Sequence, residues 1–206
     1  MAGINRKHFF DTLRTEVLGG KITPSQVAGL TAILDKWEAE ASHLDDRWLA
    51  YMLATAFHET ARTMQPVRET RATSDAAAIT LLDKAFIAGK LPWVKKPYWR
   101  KDAESKSWLG RGLVQITHKA NYLKLGNAIG EDLTTDPNRA LNTEVALKIM
   151  FTGMTEGLFT GKKLEDFFHD DVTDWKNARK IINGLESADL VAGHAVKFYM
   201  ALSYTV

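Results

Sequence analysis

Two glutamates stand ten positions apart in "YMLATAFHETARTMQPVRET", residues 51–70. Glu59 closes an apolar run, and Glu69 follows Met64-Gln65-Pro66. A carboxyl pair can divide acid–base work, one member protonating a leaving oxygen while the other activates water. For hydrolysis of an acetal with inversion, the two groups stand about 6.5 to 9.5 Å apart, which leaves room for that water. The bland alternative is a salt-bridged glutamate at a helix end and a second, unrelated surface charge.

On a helix drawn through residues 47–61, Leu49, Met52, Leu53, Ala56 and Phe57 share an apolar face. Glu59 falls at its edge, near Trp48, Met52 and Ala56. Partial burial favours the protonated form of a carboxyl, the form a general acid needs. A negative charge at a helix C-terminus also opposes the helix dipole, so its placement is unfavourable unless it serves something else. Glu69 does not continue that helix, because ten residues would carry it about 15 Å along the axis. Pro66 is expected to stop the helix and let the chain turn back.

Other chemistries find no support. The "HET" at 58–60 lacks a second histidine four residues on, where Arg62 stands, and the remaining histidines (8, 43, 118, 169 and 194) are scattered. No metal site and no cofactor are expected; His58 is read as a residue that positions its neighbour. There is no G-x-S-x-G elbow. "GRGLVQ" has neither the glycine spacing nor the lysine of a phosphate loop.

A second cluster lies in "GRGLVQITHKANY", residues 110–122. Gln115, Thr117, Asn121 and Tyr122 offer the amides, hydroxyls and ring that hydrogen-bond and stack on sugars. Thr117 could equally cap the helix that begins there. Arg111, between two glycines, could pair with a catalytic carboxylate. Asn183 stands before Gly184 in "IING", where an ordinary helix stop is the plainer reading.

The elements that must position these groups are mostly helical. Apolar residues recur at the helical period over roughly 5–18, 24–41, 47–61, 74–88, 117–129, 142–157, 174–184 and 187–202. Thr23 and Pro24 form a helix start, and Gly19-Gly20 a stop. Period-two alternation is nearly absent, so at most a small hairpin is expected, between 90 and 115. The 206 residues suffice for one domain with a sizeable core. The formal net charge of +2 argues against bulk nucleic-acid binding, and no apolar run is long enough for a membrane helix. With no cysteine the fold needs no disulfide. The first residues lack the apolar run and cleavage site of a secretory leader, so cytoplasmic synthesis is expected.

One stretch breaks the helical pattern. "GKLPWVKKPYWRK", residues 89–101, carries Lys90, Lys95, Lys96, Arg100 and Lys101 without an acid, among Trp93, Tyr98 and Trp99. Such a segment could attract a polyanion or an acidic wall surface. Alternatively it is a solvated loop whose aromatic residues pin it to the core.

"FHET", "GRGLVQITHKANY", "DPNRAL" and "IING" follow one another in the order of glycoside hydrolase family 19, and the chain resembles its phage and prophage endolysin branch from about residue 45 to the C-terminus. The resemblance implies a mainly α, lysozyme-like domain of two lobes with a cleft. It implies Glu59 as general acid and Glu69 as the base that activates water. Gln115, Thr117, Asn121, Tyr122, Asn183 and Arg111 would fall on substrate-binding positions. Ala120 stands where the family carries a tyrosine, which favours a substrate other than plain chitin.

So read, residues 1–206 form one catalytic domain without a wall-binding module, expected as a monomer. It would cleave the β-1,4 bond between N-acetylmuramic acid and N-acetylglucosamine, without nucleic acid or stable membrane insertion, and reach the wall from the periplasm after release from the host cytoplasm. The alternatives are a chitinase with the same acid and base, and an inactive sugar-binding protein.

Overall fold

The computed structural model describes residues 3–204. In chain order the α-helices are α1 (Arg6–Glu16), α2 (Pro24–Glu40), α3 (Asp46–Glu59), α4 (Asp75–Ile87), α5 (Lys119–Ile129), α6 (Thr143–Thr155) and α7 (Ala188–Ala201). Four two-residue strands accompany them: β1 (Val67–Arg68), β2 (Arg111–Gly112), β3 (Phe168–His169) and β4 (Val172–Thr173). The fold is mainly α, as the helical periodicity predicts. The chain divides into two compact units, Met1–Gln65 with Met150–Val206, and Pro66–Ile149.

In the first unit, α3 is the central element. Every side chain from Leu49 to Phe57 is buried, and α2 and α7 pack against it. Residue spacing predicts one apolar face for this helix; the structure shows it enclosed all round, because Ala50, Ala54 and Thr55 are small enough to let neighbours close over the other sides. The helix starts follow their sequence signals. Thr23 and Gln26 form a reciprocal capping box, and the Asp45 carboxylate accepts from the Arg47 N–H.

Two expectations for this unit are corrected. The helix foreseen over 174–184 is only a short 3₁₀ turn, Asn177–Ile181, entered at Asp174, whose carboxylate accepts the Asn177 N–H. The hairpin pairs Phe168 with Thr173 and His169 with Val172, in a region where none was expected.

In the second unit, β1 pairs antiparallel with β2, Val67 opposite Gly112 and Arg68 opposite Arg111. β2 finds its partner far back in the chain, so the small hairpin that 90–115 could at most have formed is not made. The irregular segment after α4 is ordered by burial. Trp99 packs with Ala78, Leu82 and Leu109, and its indole N–H donates to Asp83 at 2.8 Å. Trp93, by contrast, is 72% exposed.

Candidate active site

Glu59 is the last residue of α3, and its carboxylate is 15% exposed. Its helix stops at Thr60 rather than at Pro66. The Thr60 hydroxyl donates to the Ala56 carbonyl and accepts the Met64 N–H, while Ala61, Arg62 and Met64 take left-handed backbone conformations. This tight turn brings the Met64 carbonyl against α2 at Gly29, where a Cβ would sit 1.8 Å from the oxygen.

Glu59 is partly buried, as its edge position predicts, and it also forms the salt bridge of the bland alternative. Arg179 Nη1 donates to Glu59 Oε1 at 2.7 Å, and Arg179 is itself buried. The same guanidinium donates through Nε to the Glu186 carbonyl at 3.1 Å. One arginine thus fixes both the carboxylate and the loop that carries Asn183. Asn183 is exposed, and its side-chain oxygen accepts the Gly184 N–H, so its turn-forming role is visible directly. Beside Glu59, burial holds the His58 imidazole below its usual pKa, opposing the raising effect of the neighbouring carboxylate. His194 is also held low by burial, and its ring meets Phe57 edge-on at 4.9 Å.

The other candidate residues lie in the second unit. Glu69 begins a 3₁₀ turn just after β1. Its own N–H donates to the Gly110 carbonyl, and its carboxylate is clamped: the Gly110 N–H donates to Oε2 at 2.8 Å and the Tyr98 hydroxyl to Oε1 at 2.7 Å. Two donors aimed at the oxygens orient the charged form and immobilise it. Burial and the adjacent carboxylate both push the Tyr98 phenol above its ordinary pKa, so the hydroxyl stays a donor.

Gln115 lies beside Glu69. Its amide nitrogen donates to the Val67 and Gly112 carbonyls, while its oxygen lies over Gly110, where a Cβ would meet Gln115 Oε1 at 2.9 Å and Glu69 Oε2 at 3.3 Å. Only glycine leaves room for both oxygens. Asn121 and Thr117 are brought together, the Asn121 amide donating to the Thr117 carbonyl at 2.9 Å. Thr117 does not cap α5; His118 is the N-cap residue and makes no side-chain capping bond.

Two substrate-binding expectations are corrected. Arg111 and Tyr122 are 0% exposed, so neither reaches a ligand. Arg111 instead donates to Asp75, to the Ser107 and Leu109 carbonyls and to the Tyr122 hydroxyl. Its carboxylate partner is Asp75 rather than a catalytic residue. The Tyr122 phenol, pushed up to about 12 by burial, donates to the Leu109 carbonyl. This buried cluster sets the backbone of 107–112, which presents Gly110 to Glu69.

Sequence reasoning missed Arg179, Tyr98 and Asp75. Arg179 lies 120 residues from Glu59, and no local pattern joins them. Tyr98 belongs to the basic aromatic segment, and nothing local to that segment points to Glu69, 29 residues away.

A family model described as glycoside hydrolase family 19, chitinase class I, matches residues 46–160. The chain belongs to family 19. The match spans Glu59, Glu69 and the 110–122 cluster and ends before Asn183 and Arg179. Among solved structures, a chitinase C mutant superimposes with a TM-score of 0.48 at 16% identity, covering 96% of this chain and 90% of that one. A search of curated proteins finds no matching relative. Family membership makes the protein a glycoside hydrolase, and its substrate a glycan.

Proposed function

We propose that this family 19 protein is a peptidoglycan-degrading endolysin. It hydrolyses the β-1,4 bond between N-acetylmuramic acid and N-acetylglucosamine by general acid–base catalysis with inversion. Glu59 donates the proton to the glycosidic oxygen, and Glu69 withdraws one from the attacking water. The observation that carries the carboxylate assignment is the support each receives: Arg179 on Glu59, and the Tyr98 hydroxyl with the Gly110 N–H on Glu69. Gln115, Thr117, Asn121 and Asn183 supply polar contacts to the sugar.

Arg179 orients the carboxyl of Glu59 and stabilises the carboxylate left once the proton has gone. Because Tyr98 and Gly110 each occupy one oxygen of Glu69, the charge is aimed rather than free to rotate. No metal enters this scheme.

Peptidoglycan is preferred to chitin because the unit that carries Glu69 also carries Lys90, Lys95, Lys96 and Lys101, none of them ion-paired among the described residues. Peptidoglycan is acidic, and chitin is not. As an endolysin the protein is made in the host cytoplasm and acts on the wall from the periplasmic side. The family's chitinase description favours the second reading, hydrolysis of poly-N-acetylglucosamine by the same residues.

Digestion of purified peptidoglycan and of chitin hexamer side by side, with mass spectrometry of the fragments, separates the two. New reducing-end N-acetylmuramic acid supports the endolysin. Cleavage confined to the chitin hexamer supports the chitinase.

A further inference from the structure

The basic aromatic segment does more than close the core. Lys96, Pro97 and Tyr98 line a cavity of about 260 Å³ together with Trp108, His118 and Lys119, all within the Pro66–Ile149 unit. Tyr98 and His118 face each other with ring centroids 4.6 Å apart, and Trp108 is nearly buried. No acid lines the cavity. Lys119 is held by Glu104 at 2.6 Å, whereas Lys96 has no ion pair among the described residues. α5 starts at this cavity without a side-chain cap, and a helix N-terminus adds partial positive charge.

The space is smaller than pockets that enclose a whole ligand, about 300 Å³ and upward. It suits a substituent with a short apolar part and a carboxylate. Its wall residue Tyr98 is also the residue that holds Glu69. A group seated here is therefore attached close to the reacting sugar.

We propose that this cavity is a binding site for the carboxylate-bearing substituent of an acidic amino sugar, with Lys96 as the charged contact and Tyr98 and Trp108 as the apolar walls. The inference rests on the peptidoglycan reading above and names the feature by which the site tells a muramic-acid strand from chitin. Either the lactyl carboxylate or the carboxylates of an attached peptide could supply the charge.

The test is a two-dimensional ¹⁵N–¹H titration of the protein, following the Trp108 indole N–H. The probes are N-acetylmuramic acid, muramyl dipeptide, the same dipeptide with its carboxyls amidated, and the N-acetylglucosamine dimer. The site predicts a saturable Trp108 shift with at least one carboxylate probe, and which of the two acts identifies the source of the charge. It predicts at least a five-fold weaker affinity for the amidated dipeptide and for the Lys96→Glu variant. Lys96 is exposed, so this variant keeps the fold, and Lys96→Gln gives an intermediate case.

A silent Trp108, or a shift that neither amidation nor Lys96→Glu weakens, overturns the site. Wild-type protein that cleaves peptidoglycan while Trp108 stays silent removes the site alone. Protein that cleaves only chitin removes the reading on which it rests.

Discussion

The Tyr98 hydroxyl donates to Oε1 of Glu69 at 2.7 Å, and this bond ties the basic aromatic segment to the proposed base. A hydrogen bond to a charged group contributes about 1.5–3 kcal/mol. Tyr98→Phe removes the donor and keeps the ring. The expected outcome is roughly a ten-fold or greater fall in kcat with KM little changed, since the loss concerns orientation of the base. Equal effects on kcat and KM would assign Tyr98 to substrate binding instead.

The buried Arg111 gives a stability prediction. Asp75 is its carboxylate, and Arg111 has no exposure at all. Asp75 is 25% exposed and also pairs with Arg68, so removing it leaves the buried Arg111 charge uncompensated at a cost of up to about 3–5 kcal/mol. Asp75→Ala should lower Tm by roughly 6–20 °C, at about 2–4 °C per kcal/mol for a chain of this size. Calorimetry decides, and a Tm within about 2 °C of wild type would show that water or Tyr122 suffices for Arg111.

Gly29 yields a second. A Cβ there would lie 1.8 Å from the Met64 carbonyl, which the left-handed turn after Glu59 pushes against α2. Gly29→Ala forces α2 and that turn apart, at a cost of about 1–3 kcal/mol or more. Denaturant unfolding should show a lower midpoint. Activity should fall further than stability alone explains, since Thr60 and Met64 set the helix end that carries Glu59.

The pH dependence follows from His58 and His194, both held below the usual histidine pKa chiefly by burial. Their unfolded forms bind protons near pH 6.5, where the folded forms stay neutral. Stability is therefore full above that pH and is lost as pH falls through the lowered folded pKa values. Denaturant midpoints measured between pH 7.5 and 5 should decline, and His194→Gln should flatten the decline. An unchanged slope would mean that His194 is protonated in the native protein too.

Helix positions and starts were legible because capping residues and apolar spacing are local: Thr23, Asp45 and the 3.6-residue stripe each act within a turn or two. The site was legible only in part. Glu59, Glu69, Gln115 and Asn121 are recognisable as types in a spacing, but their partners are set by tertiary contacts. Arg179 reaches Glu59 across 120 positions, and Asp75 reaches Arg111 across 36. Arg111 and Tyr122 looked like binding residues because both can hydrogen-bond sugars. Burial turned those same capacities inward, onto backbone carbonyls and each other. Pro66 is the obvious breaker, but the Thr60 hydroxyl ends the helix before it.

Glu59 and Glu69 are proposed to act as acid and base on peptidoglycan. The most direct measurement is the initial rate of release of reducing-end N-acetylmuramic acid from purified peptidoglycan by wild type, Glu59→Gln and Glu69→Gln, with the anomer of the new end read by NMR. The expected outcome is a fall of about 10²–10⁴-fold for each variant, folded spectra for both, and inverted product from wild type. Retained configuration, or a Glu69→Gln enzyme that keeps its rate, would contradict it.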